Sequence, residues 1–192
     1  MLDAFVDDLE AVVDAAKFDR FVIYGTSQGA PIAVSYAVRH PDRVSHLILQ
    51  GGYVKGRNLR ISEAEREQGE AILALMRHGW GKEGSPFITA FTSMYIPDGT
   101  KEQMDSLAEL KAQTVSPENA VILRTAVVNF DVSDLLAQVA VWTLVIHARN
   151  DGVHPLDEGR KLASGIRVLL DSNNHALLHQ EPAWQLRFEA IR

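Results

Sequence analysis

A short apolar run followed at once by a glycine-flanked turn constrains this chain more than any other stretch; it covers residues 21–29, FVIYGTSQG. The apolar residues predict a buried strand, and residues 30–39, with Pro31 in the first turn, predict a helix directly after the turn. In so sharp a turn the backbone passes close to itself, so we expect that Gly25 and Gly29 must both lack a side chain. Ser27 then lies at the apex of the turn, beyond the end of the strand.

A serine between a strand and the start of a helix is well placed to act as a nucleophile. The free N–H groups and the dipole of the helix favour negative charge beside the serine, as an attacked carbonyl group needs. The pattern G-x-S-x-G also occurs in ordinary turns, so a structural turn with an inert serine is the alternative. The strand–turn–helix order favours Ser27 as the nucleophile.

Composition and charge exclude several classes of function. The 192 residues, 46% of them apolar, fit one globular domain with an insertion. The net charge is −6 without a basic cluster, so no nucleic-acid partner is expected. The absence of cysteine excludes disulfides and thiolate chemistry and fits a reducing compartment, which predicts a cytoplasmic location. The longest apolar run, residues 139–146, is too short to span a bilayer, so no membrane partner is expected.

The order of predicted elements indicates an α/β fold with an inserted helical region. Before residue 53 and after residue 135, helices alternate with strands, which predicts a mostly parallel sheet flanked by helices. Between them the pattern is helical only, so we divide the chain into a core (1–53), a lid insertion (54–134) and a second core part (135–192). The predicted lid helices are 62–78, 86–95, 101–114 and 117–129, and the predicted core elements are helices 2–16, 30–39, 156–163 and 182–191 and strands 21–24, 44–50, 142–147 and 167–170.

Three residue types that can form a catalytic triad each follow a predicted strand, in the order Ser27, Asp151, His175. The carboxyl ends of parallel strands meet at one edge of a sheet, so these side chains are expected to lie together. In this interpretation His175 takes the proton of Ser27 and later gives it to the leaving group, while Asp151 holds the imidazole in the correct tautomer.

Each partner of Ser27 has rivals in the sequence. Asp157 and Asp171 are the alternative acids, although Asp157 begins a helix and is expected to be structural. His154 could face the pocket, and His179 lies four residues after His175, a spacing that can hold a metal. Without a third ligand nearby we predict no metal and no cofactor. The remaining histidines are expected to be structural: His40, His46, His78 and His147.

Three residues of the lid region are candidates for the substrate pocket: Trp80, Met94 and Tyr95. Packing of the lid against the core is an equally good explanation for each of them.

The chain resembles the α/β-hydrolase superfamily over nearly its whole length. More closely, it resembles bacterial hydrolase-like domains that are often fused to helix-turn-helix regulators or adenylate cyclases. The residues that carry the resemblance are Ser27-Gln28-Gly29, 39–47, Gly52-Tyr53, 77–81, 116–120, His175 and 181–184.

The resemblance implies that the N–H of Gln28 is one donor of an oxyanion hole and that a loop after an earlier strand supplies the second. Such earlier strands are absent here, so the chain is expected to match the C-terminal two-thirds or so of the family domain and to be a poor catalyst by itself. Strand 21–24, which would then lack a neighbour, is expected to pair with a second copy of the chain or with a separate segment.

The leading functional hypothesis is a serine hydrolase that acts on a small or medium carboxylic ester or related acyl compound. A catalytically weak ligand-binding or regulatory module on the same fold is the alternative. Hydrolysis of a carbon–carbon bond, or perhydrolysis, on the same triad is a third hypothesis. An aspartate nucleophile is disfavoured because position 27 is serine.

Overall fold

The computed structural model describes residues 1–60, 63–82, 85–163 and 166–191. Two short 3₁₀ helices, Arg57–Leu59 and Ser133–Gln138, flank the lid region. The other elements follow in chain order: α1 (Leu2–Ala15), β1 (Phe21–Thr26), α2 (Gly29–Arg39), β2 (Val44–Gln50), α3 (Glu63–Gly79), α4 (Pro86–Ser93), α5 (Lys101–Thr114), α6 (Pro117–Val127), β3 (Trp142–Ala148), α7 (Leu156–Leu162), β4 (Ile166–Leu170) and α8 (Pro182–Ile191).

The four strands form one parallel sheet in the order β1-β2-β3-β4, as the alternation of strands and helices predicts. Gly25 lies opposite Leu49 on β2, and Leu49 lies opposite Val145 on β3. All strands therefore end at the same edge of the sheet. The loops after β1, β3 and β4 carry Ser27, Asp151 and His175 to that edge.

The main hydrophobic core lies between the sheet and helices α1 and α2. It is apolar throughout because α2 places small and branched side chains against alternate residues of β1, β2 and β3. Removing each large side chain from water contributes about 1.5–3 kcal/mol, so this face fixes the position of α2 and of the turn before it. Its fully buried members include Val6, Ala30, Val34, Val44, Leu47 and Val145.

Strand β1 is buried on one face only, so the prediction of a buried strand is wrong for its other face. Val22 is 50% exposed and Tyr24 is 44% exposed, whereas Ile23 is buried. The reason is that this face of the sheet is open: His46 and Trp142, which follow Val22 in the register across β2 and β3, are exposed as well. Strand β1 also lies at the edge of the sheet and pairs only with β2 among the described residues. Association through this edge, with a second copy or a separate segment, stays a prediction, which light scattering at micromolar concentration would test.

Helices α3 to α6 form the helical region that was predicted between the two core parts. Its first predicted residue, Ser62, lies outside the described residues. The region has a hydrophobic cluster of its own, which includes Met76, Trp80, Ile88, Phe91 and Ala120. A capping box of Thr100 and Gln103 begins α5, and the Ser116 hydroxyl accepts from Asn119 N–H at the start of α6. Throughout the described ranges, every helix is too short or too polar to cross a lipid bilayer.

Candidate active site

Ser27 lies in a strained turn between β1 and α2. Its φ angle is 53°, in the left-handed region that non-glycine residues rarely adopt. The Ser27 N–H donates to the Gln50 carbonyl at 2.8 Å, and the Ser27 carbonyl accepts from Ala30 at 3.0 Å. The turn is thus held to the neighbouring strand on one side and to the helix on the other, which directs the serine side chain away from the sheet.

The glycine before the serine is required by the close approach of two backbone segments, as predicted. A Cβ added at Gly25 would lie 2.7 Å from the carbonyl oxygen of Gly29, nearer than real Cβ atoms come. The corresponding prediction for Gly29 is wrong, because a Cβ added there would meet no atom within 4 Å. The approach is one-sided: the carbonyl group of Gly29, and not its Cα hydrogens, faces the strand.

Asp151 and His175 form a buried hydrogen-bonded pair. The Nδ1 atom of His175 lies 2.7 Å from Oδ2 of Asp151, and the Asp151 side chain has no exposed surface. The other oxygen of Asp151 accepts from the backbone N–H groups of Val153 at 2.8 Å and His154 at 2.9 Å. Both carboxylate oxygens therefore have partners within the chain.

The partners of Asp151 keep it ionised. Burial by itself would raise the pKa of this carboxyl group, but the hydrogen bond and charge of His175, with the two backbone N–H groups, lower the pKa below its ordinary value. An ionised Asp151 holds the proton of His175 on Nδ1, which leaves Nε2 as an acceptor.

The rival acids lie away from this pair. The Asp157 side chain pairs with Arg160 at 2.7 Å on α7, and the 91% exposed Asp171 side chain lies near Arg149. The expected structural role fits His147, which is buried and whose Nε2 donates to the carbonyl group of His154 at 3.1 Å. His46, His78 and His179 are exposed. Within the described residues no group of three His, Asp or Glu side chains could hold a metal ion.

Gly51 lies against the imidazole ring of His175 and was not predicted from the sequence to be a site residue. It directly follows β2 and has a φ angle of +56°, and an added Cβ would lie 3.0 Å from Cε1 of His175. A side chain at this position would therefore displace the imidazole. The sequence signal was the Gly51-Gly52 pair after the strand, which by itself indicates only the end of a strand.

His154 is the histidine nearest the serine hydroxyl. Its Nε2 lies 3.5 Å from Oγ of Ser27, the upper limit for a hydrogen bond, and no other described residue hydrogen-bonds this hydroxyl. The His154 ring stacks on Tyr53 with centroids 4.5 Å apart and lies 5.3 Å from the ring of His175. Burial, followed by the charges of His175, Arg60 and Arg124, lowers the pKa of His154 well below its ordinary value. His154 is therefore neutral at pH 7.

The hydrogen bonds of His154 determine its tautomer. Nη2 of Arg60 lies 3.3 Å from Nδ1 of His154, and because arginine can only donate, Nδ1 is the acceptor. A neutral imidazole that accepts at Nδ1 carries its proton on Nε2, so His154 donates toward Ser27. A donor cannot take the serine proton. This assignment leaves His175, whose Nε2 is an acceptor, as the candidate base near Ser27.

One pocket includes the serine in its lining and a second lies next to it, at Gln28. One, of about 360 Å³, opens beside β1 and is lined by Tyr24, Ser27, Gln50 and His175. The other lies under the lid, has a volume of about 250 Å³, and includes Gln28, Trp80 and Tyr95 in its lining.

The structure brings two of the three predicted pocket residues to the lid pocket. Trp80 donates from Nε1 to the Val115 carbonyl at 3.2 Å, and the Tyr95 ring lies 5.5 Å from that of His175. Met94 instead packs with the hydrophobic cluster of the lid and lines neither pocket. The backbone N–H of Gln28 has no hydrogen-bond partner among the described residues, so it is available to an oxyanion.

An open parallel sheet with a serine at a strained strand–helix turn and a buried Asp–His pair defines the class of α/β hydrolases. The family model for the alpha/beta hydrolase fold matches residues 2–183, and the chain belongs to that family.

Two of the similar curated proteins are named as hydrolases. The chain is 26% identical to the putative carbamate hydrolase RutD of Rhizobium rhizogenes, over 94% of this chain and 70% of the relative. It is 28% identical to the 2-hydroxy-6-oxononadienedioate/2-hydroxy-6-oxononatrienedioate hydrolase 1 of Pseudomonas putida, over 82% of this chain and 56% of the relative. The chain thus spans little more than half the length of the second protein.

Solved structures share the fold. An esterase from Exiguobacterium antarcticum superposes with a TM-score of 0.79 at 18% identity, over 97% of this chain and 72% of the esterase. A hydrolase from Pseudomonas aeruginosa superposes with a TM-score of 0.80 at 18% identity, over all of this chain and 70% of the hydrolase. The narrower resemblance to domains fused to regulators or cyclases stays a prediction.

Proposed function

We propose that this protein is a serine hydrolase of the esterase type, with Ser27 as nucleophile, His175 as base and Asp151 as the residue that orients His175. The observation that carries the proposal is the 2.7 Å Asp151–His175 pair beside a serine with a φ angle of 53°. Membership of a family of hydrolases, and relatives and neighbours named as hydrolases and esterases, support it.

The reaction follows from the roles of the three side chains. Oγ of Ser27 attacks the ester carbonyl carbon while its proton passes to Nε2 of His175, and Asp151 stabilises the imidazolium that forms. The negative carbonyl oxygen is stabilised by the N–H of Gln28 and the N-terminus of α2. When the carbon–oxygen bond breaks, the alcohol takes the proton from His175. Water then attacks the acyl-enzyme, gives its proton to His175, and releases the acid and Ser27.

The two pockets suit the two parts of an ester. The lid pocket, whose lining is mostly apolar, accommodates a small acyl group, and the opening beside β1 lets the alcohol leave. For this reaction the Ser27 hydroxyl must turn from His154 to His175. The 3.5 Å contact with His154 is weak enough to exchange, and catalytic hydrogen bonds are often formed only once the substrate is bound.

A fluorophosphonate probe tests the proposal directly, because it labels only an activated serine. The probe should label the wild-type protein, and it should label neither Ser27→Ala nor His175→Gln. Matched controls are Ser106→Ala on the exposed surface of α5 and His46→Gln on the exposed side of β2, which should label normally. Normal labelling of Ser27→Ala would remove Ser27 from the mechanism.

One observation favours the alternative, a catalytically weak binding or regulatory module: the serine hydroxyl hydrogen-bonds to His154, a donor, and not to the base. In that case wild-type protein would not react with the probe, although small acids or esters would still bind in the lid pocket.

A further inference from the structure

The lid pocket contains two cationic side chains that the chain itself does not neutralise. Lys111 on α5 and Arg124 on α6 both line the 250 Å³ pocket. Nζ of Lys111 and Nε of Arg124 are buried and have no hydrogen-bond partner among the described residues. Buried polar atoms almost always have partners, and charged atoms without them are costly. Two such atoms in one small pocket therefore indicate a missing partner.

The residues around these cations supply no negative charge. Aromatic rings take the place of a carboxylate beside Lys111: Nζ lies 3.7 Å from the centroid of Tyr95 and 4.8 Å from that of Phe91. The lining of the lid pocket contains no Asp or Glu among the described residues. Burial lowers the pKa of Lys111 to about 8, without a carboxylate to oppose it. Lys111 is still mostly protonated at pH 7.

The cationic pocket is connected to the nucleophile. Arg124 also lines the narrow space beside Ser27, His154 and Tyr53, and Gln28 lines both spaces. That space likewise has no Asp or Glu in its lining among the described residues. A ligand can therefore place a carbonyl group at Ser27 and a second group between Lys111 and Arg124.

We propose that Lys111 and Arg124 form an anion-binding subsite, so that the preferred substrate is an ester whose acyl part ends in a carboxylate. This inference rests on the proposed function for the position of the ester, but the binding of the anion does not depend on catalysis. Arginine gives a carboxylate two parallel donors and lysine gives it a point charge. The volume of about 250 Å³ is below that of sites for drug-sized ligands, which selects short dicarboxylic half-esters.

Binding is tested with adipate, a short dicarboxylate, in the Ser27→Ala protein by calorimetry. The protein should bind adipate, and Lys111→Met and Arg124→Gln should each weaken binding roughly 10- to 100-fold, because each removes a charge-assisted hydrogen bond. Lys111→Arg should retain most of the affinity. The matched control is Lys101→Met, which removes an 82% exposed lysine at the start of α5 and should bind adipate as the parent does. Equal affinity of all variants would overturn the proposal.

Turnover is tested with monomethyl adipate and dimethyl adipate, which differ only in the distal group: a carboxylate in the half-ester and a neutral methyl ester in the diester. Wild-type protein should have a lower KM for the half-ester, and Lys111→Met and Arg124→Gln should lose that difference between the two esters. Equal or better use of the neutral diester by wild type would overturn the anion subsite even with Ser27 labelled. Conversely, adipate binding without labelling of Ser27 would retain the subsite and remove the hydrolase.

Discussion

The core side and the lid side of the site differ in how far the chain satisfies its own charges. On the core side, both oxygens of Asp151 have hydrogen-bond donors, one of them His175 at 2.7 Å. On the lid side, Nζ of Lys111 and Nε of Arg124 are buried and have no hydrogen-bond partner among the described residues. On the core side the charge of Asp151 is therefore compensated before a ligand arrives. On the lid side the charges of Lys111 and Arg124 are compensated only when an anion binds.

The comparison predicts different kinetic consequences on the two sides. Groups that act on the reacting atoms affect kcat, while groups that hold a distant part of the substrate affect KM for substrates that have that part.

The largest effect is expected from Asp151→Asn on the core side. An amide cannot hold His175 in the tautomer with its proton on Nδ1, so kcat should fall on the order of 10⁴-fold while KM changes little. Steady-state kinetics on monomethyl adipate measure this. The control, Asp171→Asn, changes an exposed acid on the same edge of the sheet and should retain wild-type kcat. A loss equal in both variants would mean that Asp151 has no special role.

The next effect separates the two glycines of the turn. Gly25→Ala introduces a methyl group 2.7 Å from the Gly29 carbonyl oxygen and should lower the free energy of unfolding by about 1–3 kcal/mol. Gly29→Ala, which meets no atom within 4 Å, should change that free energy by less than about 0.5 kcal/mol. Urea denaturation of both variants makes the measurement. Equal destabilisation of the two variants would show that the Gly29 carbonyl group is not the part of the turn that requires a glycine at position 25.

On the lid side a substitution should stabilise the free protein. Lys111→Met replaces a buried unpaired cation by an apolar chain of similar length, so the free energy of unfolding at pH 7 should rise by about 1–3 kcal/mol. The stability advantage of Lys111→Met over wild type should shrink when adipate is present, because the wild-type protein binds the anion more tightly and is stabilised more by it. A Lys111→Met protein less stable than wild type without adipate would indicate that the contacts of the Lys111 ammonium group with Tyr95 and Phe91 outweigh the cost of its burial.

The smallest effect is expected in the pH dependence of the free energy of unfolding. Because the pKa of His154 is lowered in the folded protein, the unfolded chain takes up a proton below about pH 6.5 that folded His154 does not. The free energy of unfolding should therefore fall as the pH drops from 7.5 to 5.5, and the fall should be smaller in His154→Gln. The lowered pKa of His147 leaves part of the slope in the variant. The exposed His46→Gln variant should keep the full slope, and an unchanged slope in His154→Gln would contradict the argument.

Local patterns in the sequence predicted the parts of the site that depend on local structure. The strand–turn–helix around Ser27, the parallel sheet, and the position of Asp151 and His175 after two strands all follow from residues adjacent in the chain. The error at Gly29 arose because a pattern shows that the backbone is close to itself but not which atom makes the approach. Likewise, the apolar and aromatic character of Val22 and Tyr24 predicts that they are buried, although both lie on the open face of the sheet and are exposed.

The sequence by itself determined that a serine, an acid and a histidine lie at one edge of an α/β sheet, because the carboxyl ends of parallel strands meet there whatever side chains lie between them. Only the tertiary structure packed Gly51 against the ring of His175 and placed His154 as a donor to Ser27. It also brought Lys111 and Arg124 into the lining of one pocket. Lys111 and Arg124 lie on separate helices, and no periodicity relates them. Their meeting depends on how α5 packs against α4 and how α6 packs against α3, which non-local contacts among these four helices decide.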